Sequence, residues 1–194
     1  MGLLTPLSIN GLKHVGKSTV SRLVARDLDI PCFDTDDVVL DLASLGDGDN
    51  AASVRSVYRT LGKNRFQQLE AEAVESILKT VSLNTVTGKA TSAVIATGGG
   101  ICDNPPALQL LKEHTRMVFL DEDPEVLYRR IITGGIPAYL DRDRRYAHFM
   151  EIGTARRDRY RTIAQHTVTV TGLSIRQITD ILVQLHKEKL QEEL

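Results

Sequence analysis

Residues 11–19 read G-L-K-H-V-G-K-S-T and carry the spacing G-x-x-x-x-G-K-[ST] of the Walker A motif, between an apolar run and a segment of helical periodicity. Gly11 and Gly16 would let the backbone curl, so that successive N–H groups point at phosphate oxygens. Lys17 would neutralise the β- and γ-phosphates of a nucleotide, and the Ser18 hydroxyl would ligate Mg²⁺. The alternative is a glycine-bounded turn that binds nothing. We predict a nucleotide-binding site built from Gly11, Leu12, Lys13, His14, Val15, Gly16, Lys17, Ser18 and Thr19.

Short apolar runs alternate with segments of helical periodicity along the whole chain. The predicted strands are residues 6–10, 30–33, 92–97, 116–120 and 167–170. The predicted helices are residues 20–28, 38–45, 51–61, 64–81, 107–114, 124–134, 142–165 and 174–190. Several of the strands are continuously apolar, which is typical of a parallel sheet with both faces covered. We therefore predict an α/β fold, a three-layer sandwich whose central parallel sheet of about five strands is flanked by helices.

Three polar or glycine-rich segments directly follow predicted strands. They are the Walker A segment, the acidic stretch that begins at Asp34, and the triple glycine Gly98-Gly99-Gly100. In an open parallel sheet, ligands bind beyond the carboxyl ends of the strands. The three segments are therefore expected to converge on one crevice.

Length, charge and cysteine content restrict the class of protein. A chain of 194 residues fits one domain, and a formal net charge of −1 implies no broad attraction to nucleic acid or to an anionic membrane. Residues 142–161 nevertheless carry seven arginines, which would bind nucleic acid or clamp a small polyanion; the Walker A segment favours the second. Cys32 and Cys102 form neither a disulfide framework nor a metal-ligand spacing. No run is long enough to span a membrane, so we expect a cytoplasmic protein. We also expect a monomer.

The order of motifs along nearly the whole chain resembles that of the shikimate kinases, which have the P-loop, nucleoside-monophosphate-kinase-like fold. The motifs are G-x-x-x-x-G-K-S-T, F-D-T-D, A-T-G-G-G, R-x-x-x-Y-x-x-x-A and T-x-T-G-L-S. The first alone would indicate only a superfamily, whereas the second and third in this order are far more specific. The resemblance implies an enzyme that transfers the γ-phosphate of ATP to the 3-hydroxyl of shikimate, in chorismate and aromatic amino-acid biosynthesis.

The resemblance also implies a role for each of two carboxylates. Asp34 would hold Mg²⁺ through water, and Asp36 would bind the ring hydroxyls of shikimate and orient or deprotonate the attacking one. The alternative is that Asp34 and Asp36 only begin the next helix, where Asp is favoured. Two carboxylates that face a Walker A segment suit metal-assisted phosphoryl transfer better.

The remaining implied roles concern the substrate carboxylate and the adenine. The N–H groups of Gly98, Gly99 and Gly100 would donate to the carboxylate, although a plain tight turn is the alternative. Arg156 would clamp the same carboxylate with its planar guanidinium. Arg129 would stack on adenine, or be a solvated arginine on a helix face. The implied organisation is a single domain over residues 1–194, with a lid at residues 133–146 and substrate-binding helices over residues 36–80.

Three departures from the family pattern affect the chemistry. Gln67 stands where a second carboxylate-binding arginine belongs, Ile136 stands in place of a lid arginine, and His14 replaces a glycine of the phosphate loop. The arginines that could compensate are Arg55, Arg59 and Arg65 for the carboxylate and Arg142, Arg144 and Arg145 for the lid.

These departures leave two other functions open. The loss of an arginine at position 67 would admit a less acidic substrate, so that the chain would be a kinase for another small hydroxylated molecule. The changes at Ile136 and His14 together would be consistent with a nucleotide-binding relative without catalytic activity.

Overall fold

The computed structural model describes residues 5–47, 53–88, 92–134 and 145–192. Its strands are β1 (Leu7–Asn10), β2 (Cys32–Asp34), β3 (Val94–Ala96), β4 (Arg116–Asp121) and β5 (His166–Thr169). Its helices are α1 (Lys17–Leu28), α2 (Thr35–Asp47), α3 (Val54–Val86), α4 (Pro105–His114), α5 (Pro124–Gly134), α6 (Arg145–Ile163) and α7 (Ile175–Glu192). A 3₁₀ turn over Ile101–Asp103 precedes α4.

The five strands form one parallel sheet in the order β2-β3-β1-β4-β5. Strand β1 is central, and its Ile9 is in register with Ala96 on one side and Val118 on the other. All residues of β1, β3 and β4 are buried, because helices cover the sheet. The α/β prediction of a helix-flanked parallel sheet is therefore confirmed.

The sheet order places the predicted site segments side by side. Strand β1 leads into the phosphate loop, β3 leads into the triple glycine, and β2 ends at Asp34. Because β2, β3 and β1 are neighbours and parallel, these three segments leave the sheet at the same edge. The predicted convergence of the three segments is confirmed.

The helices differ from the sequence-based bounds at several ends. Helix α2 begins at Thr35 and continues through Gly46, where a break was predicted. Helix α3 contains a kink at Gly62, whose φ of 73° and ψ of 173° are not helical, and this agrees with the two helices predicted there. The loop predicted to begin at Asn84 is wrong, because α3 continues to Val86.

Part of the predicted lid, residues 135–144 with Ile136, lies outside the described residues, as do residues 48–52. None of the described helices is long and apolar enough to cross a membrane.

Candidate active site

The loop between β1 and α1 has the backbone conformation that a phosphate loop requires. Gly11 and Gly16 have φ values of 152° and 101°, and a Cβ at position 11 would lie 2.9 Å from the carbonyl oxygen of Leu120. His14 also has a positive φ, 65°, although it carries a side chain. This conformation accounts for a glycine at that position in the family pattern, because glycine adopts it without strain. Burial, and then the charges of Lys13 and Lys17, lower the pKa of His14.

Lys17 is the first residue of α1 and is only 8% exposed. Its Nζ donates a hydrogen bond to the carbonyl oxygen of Leu12 at 2.9 Å, across the mouth of the loop. Burial lowers the pKa of Lys17 to about 8, although the carboxylates of Asp36 and Asp34 oppose this shift. A partly desolvated ammonium group in this position is suited to receive the charge of a polyphosphate.

Ser18 and Asp34 are in direct contact. The Ser18 hydroxyl donates to Oδ2 of Asp34 at 2.6 Å, so the two residues predicted to serve Mg²⁺ lie together. The other oxygen of Asp34 accepts from the backbone N–H of Asp36 at 3.0 Å, at the start of α2. Asp34 therefore caps the helix and faces the phosphate loop at the same time, so the two interpretations of this residue are compatible.

Asp36 lies in the first turn of α2 and projects towards the triple glycine. A Cβ at position 98 would lie 2.9 Å from Oδ1 of Asp36, and the N–H of Gly98 donates to the hydroxyl of Thr35 at 2.9 Å. Burial, and then repulsion by the charge of Asp34, raise the pKa of Asp36 above its ordinary value. A carboxylate with a raised pKa is a better proton acceptor than an ordinary one.

Each residue of the triple glycine lies against a different part of the site. Gly98 faces Asp36, and Gly99 lies against the phosphate loop, where an added Cβ would be 2.9 Å from the backbone nitrogen of Lys13. A Cβ at position 100 would be 3.1 Å from Nη2 of Arg156. The turn is therefore more than a change of chain direction, since it is the junction between the phosphate loop, α2 and α6.

Arg156 is fixed on α6 by its surroundings. Its Nε lies 2.7 Å from Oδ2 of Asp103, while the other oxygen of Asp103 lies 2.5 Å from Nη1 of Arg159. One helical turn further on, Tyr160 is buried and stacks on Phe119 of β4 at a centroid distance of 5.1 Å. The R-x-x-x-Y spacing thus places an arginine in the site and an aromatic anchor in the core.

Two other arginines of the arginine-rich residues 142–161 have a structural role. Arg157 and Arg161 pair with the two oxygens of the buried Asp121, at 2.5 and 2.6 Å. Asp121 ends β4, so these ion pairs attach α6 to the sheet. They explain part of the arginine content without any external ligand.

A cavity of about 640 Å³ opens between the phosphate loop, α2, α3 and α6. Of the predicted site residues, it is lined by Lys13, His14, Gly16, Lys17, Ser18, Thr19, Asp36, Gly98, Gly99, Gly100 and Arg156. The other loop residues, Gly11, Leu12 and Val15, are buried. Asp34 does not line the cavity itself but contacts Ser18, which does.

Arg129 is not brought to this cavity. Its guanidinium forms an ion pair with Glu125, one turn away on α5, at 2.8 Å, and its side chain is 73% exposed. This geometry matches the alternative of a solvated arginine on a helix face, and the role in adenine stacking stays a prediction.

Gln67 stands where the family pattern has a second carboxylate-binding arginine, and its side chain is turned towards Asp103. Its Nε2 donates to the backbone carbonyl of Asp103 at 2.8 Å. Among the arginines considered as replacements, Arg55 lines the cavity, whereas Arg65 pairs with Glu72 at 3.0 Å outside it. Arg59 is exposed and does not line the cavity. Arg142 and Arg144 lie outside the described residues.

Sequence reasoning missed two acidic residues of the cavity, Glu70 and Asp103. Glu70 is only 6% exposed and accepts a hydrogen bond from Nδ2 of Asn104 at 3.1 Å. Burial raises the pKa of Glu70 to about 7. The sequence could have indicated Glu70, because this residue ends the G-x-x-x-F-x-x-x-E segment. Asp103 lies in a stretch with no recognisable pattern.

Among the described residues, no group of three or more His, Cys, Asp or Glu side chains could hold a metal ion by itself. Mg²⁺ in nucleotide enzymes takes most of its ligands from water and phosphate and needs only one or two protein oxygens. The Ser18 hydroxyl and the Asp34 carboxylate supply oxygen donors of that kind at the mouth of the phosphate loop.

Comparison with known proteins agrees with this geometry. A family model described as shikimate kinase matches residues 13–187, which is most of the chain. The chain belongs to the shikimate kinase family. Membership in this family implies that the chain is a kinase, and the resemblance drawn from the motifs is confirmed.

Relatives and solved structures of shikimate kinases align over almost the whole chain. A shikimate kinase of Streptococcus gordonii is 28% identical over 175 residues, which are 89% of this chain and 94% of the relative. A shikimate kinase of Caldanaerobacter subterraneus is 28% identical over 181 residues, 92% of this chain and 94% of the relative. The structure of shikimate kinase from Acinetobacter baumannii in complex with shikimate has a TM-score of 0.79 at 20% identity, over 96% of this chain and 94% of that one. At that identity the structural match supports the fold alone.

Proposed function

We propose that this member of the shikimate kinase family transfers the γ-phosphate of ATP to the 3-hydroxyl of shikimate. The observation that carries the proposal is the shared cavity, in which the phosphate loop, Asp36, the triple glycine and Arg156 meet. A donor site for a polyphosphate thus faces an acceptor site with a carboxylate and a guanidinium.

The donor half would hold ATP on the amides of residues 11–19, with its phosphates against Lys17. The N-terminus of α1, whose cap residue Gly16 makes no side-chain hydrogen bond, would add backbone N–H donors and the positive end of the helix dipole. Bound Mg²⁺ would neutralise phosphate charge, and Ser18 and Asp34 are the residues that would hold it. Catalysis would rest on positioning and on charge neutralisation.

The acceptor half would hold shikimate between Asp36 and Arg156. The guanidinium of Arg156 is suited to bind a carboxylate, and Nη2 already points towards Gly100. Asp36, with its raised pKa, would orient the attacking hydroxyl and accept its proton. Arg55, at the rim of the same cavity, is the described arginine best placed to take over the missing second contact.

A second candidate is a kinase for another small hydroxylated molecule. It is supported by Gln67, whose amide is engaged with the backbone of Asp103 and adds no positive charge. The carboxylate of Asp103 in the cavity lining reduces the positive charge of this region further. Both features favour an acceptor that is less acidic than the one expected for a site with the second arginine of the family pattern.

The proposal is tested with purified protein, Mg-ATP and shikimate in a coupled assay of ADP release. We expect ADP release that depends on shikimate and that falls on the order of 10²-fold or more in Asp36→Asn, in line with the loss of a general base. Polyols, sugars and sugar acids serve as alternative acceptors. If shikimate never stimulates ADP release, the first proposal is wrong. Stimulation of ADP release by another acceptor would then support the second candidate function. ATP binding without transfer to any acceptor would support a nucleotide-binding relative without catalytic activity.

Cytoplasmic location, a monomeric state and the absence of nucleic-acid or membrane partners stay predictions from the sequence. So do the single-domain organisation over residues 1–194, the lid at residues 133–146 and the substrate-binding role of residues 36–80.

A further inference from the structure

The triple glycine packs against the phosphate loop at Lys13. Its backbone nitrogen and Cα are the atoms that a Cβ at position 99 would meet, at 2.9 and 3.3 Å. The side chain is exposed and lines the cavity together with Asp36 and Lys17. Lys13 is therefore located where the donor and acceptor halves touch.

The charge of Lys13 acts on the groups of both halves. It adds to the lowering of the pKa of Lys17 that burial causes on the donor side. On the acceptor side it partly offsets the rise in the pKa of Asp36 that burial and the charge of Asp34 cause. Within the described parts of the chain, no carboxylate forms an ion pair with this lysine. A cation with no ion-pair partner, next to a site for a polyanion, is available to bind the anion.

Phosphoryl transfer requires positive charge at this junction. The acceptor oxygen forms a bond to the γ-phosphorus, and the bond from that phosphorus to the bridging oxygen breaks, with its electron pair going to ADP. The proton of the acceptor hydroxyl passes to Asp36 or to solvent. Negative charge is spread over the three equatorial oxygens of the group in transfer, which lies between the phosphate loop and the acceptor.

We propose that Lys13 is a catalytic residue, whose ammonium group contacts the terminal phosphate of ATP and stabilises it during transfer. Ile136 leaves the lid without an arginine in the expected register, and Lys13 would supply the missing positive charge from the loop itself. This inference rests on the proposed kinase function, but its first test does not require turnover.

The first test measures binding by calorimetry, with Mg²⁺, of ADP and of a non-hydrolysable ATP analogue. Lys13→Met should weaken the analogue about tenfold more than ADP, because only the analogue carries the terminal phosphate. Lys13→Arg keeps the charge and should retain most of the preference. Lys112→Met is the matched control, since Lys112 is an exposed lysine of α4 outside the cavity.

The second test measures shikimate-dependent turnover of the same variants. Lys13→Met should lower kcat on the order of 10²-fold while the KM for shikimate changes little, and Lys13→Arg should recover most of the loss. The inference is overturned if Lys13→Met behaves as Lys112→Met in the binding test, or if it loses the terminal-phosphate preference and keeps its kcat. A wild-type protein inactive with shikimate would refute the proposed function, while the binding contrast would still decide whether Lys13 contacts the terminal phosphate.

Discussion

Oδ2 of Asp103 lies 2.7 Å from Nε of Arg156, and this ion pair holds one side of the guanidinium at the cavity. With Nε engaged on one side, the Nη2 end of the guanidinium points at the triple glycine, 3.1 Å from where a Cβ of residue 100 would be. Asp103 also holds Arg159 and presents its carbonyl oxygen to Gln67. One residue of the 3₁₀ turn thus connects α3 and α6 at the acceptor side of the site.

Removal of the Asp103 side chain should therefore impair the binding of the acceptor. We expect Asp103→Ala to raise the KM for shikimate about tenfold, because a charge-assisted hydrogen bond that aims Arg156 is lost. Asp103→Asn retains an acceptor for Nε and should lose less. Steady-state kinetics with shikimate varied at saturating ATP measure the effect, and calorimetric ATP affinity should be unchanged. A KM that stays at the wild-type value in Asp103→Ala would show that the ion pair does not position Arg156.

Gly99 and Gly100 should differ in their tolerance of a methyl group. In Gly99→Ala the Cβ would press on the backbone of Lys13 at 2.9 Å, and the backbone of the phosphate loop cannot move without distorting the site. We expect a loss of stability of about 1–3 kcal/mol together with weaker ATP binding. In Gly100→Ala the Cβ meets only the guanidinium end of the Arg156 side chain, which can shift more easily than a backbone. Stability should therefore fall less, and the KM for shikimate should rise. Urea unfolding and kinetics of the two variants compare these effects, and equal losses in both would contradict this account of the turn.

Glu70 should make the stability of the fold depend on pH. Its pKa is raised from 4.5 to about 7 in the folded protein, so the folded state binds more protons than the unfolded state between these values. The contribution of Glu70 to stability therefore decreases as pH rises through this window. Glu70→Gln should be more stable than wild type at pH 8 by on the order of 1–3 kcal/mol, and similar to it at pH 4.5. Urea titrations at both pH values test this, with Glu151→Gln, at an exposed glutamate of α6, as control. An equal difference between Glu70→Gln and wild type at both pH values would contradict the raised pKa.

ATP binding should be accompanied by proton uptake near pH 8. The pKa of Lys17 is about 8 in the free protein, and phosphate charge next to the ammonium group would raise it. At pH 8 about half a proton per ATP should be taken up. The slope of the binding enthalpy against the ionisation enthalpy of the buffer measures this number. Lys17→Arg carries a guanidinium that does not titrate in this range, and should reduce the slope. A wild-type slope equal to that of Lys17→Arg would mean that the lysine is already fully charged.

The positions of the strands and of the phosphate loop could be predicted because their signals are local. The run that ends at Asn10 is rich in apolar residues, and the run that ends at Ala96 consists of small and apolar ones. Gly11 and Gly16 mark the turn between β1 and α1. The family motifs then identified the carboxylates and the triple glycine. The loop predicted at Asn84 was wrong, because the residues around it are polar and locally resemble a loop, while α3 continues past them to Val86.

The contacts around Arg156 could not be predicted, since they join residues far apart in the sequence. Asp103 and Arg156 are 53 positions apart, and Gln67 and Asp103 are 36 apart. Each contact depends on how α3, α6 and the 3₁₀ turn pack, which no spacing in the sequence records. The burial that raises the pKa of Glu70 is a property of the same packing.

Phosphorus-31 NMR of a reaction with Mg-ATP and shikimate decides whether the protein phosphorylates shikimate, because it identifies the product. We expect a phosphate-monoester resonance of shikimate 3-phosphate that grows in equal amount with ADP, and that is strongly reduced in Asp36→Asn. ADP formed without this resonance, or no consumption of ATP while shikimate and ATP both bind, would contradict this expectation.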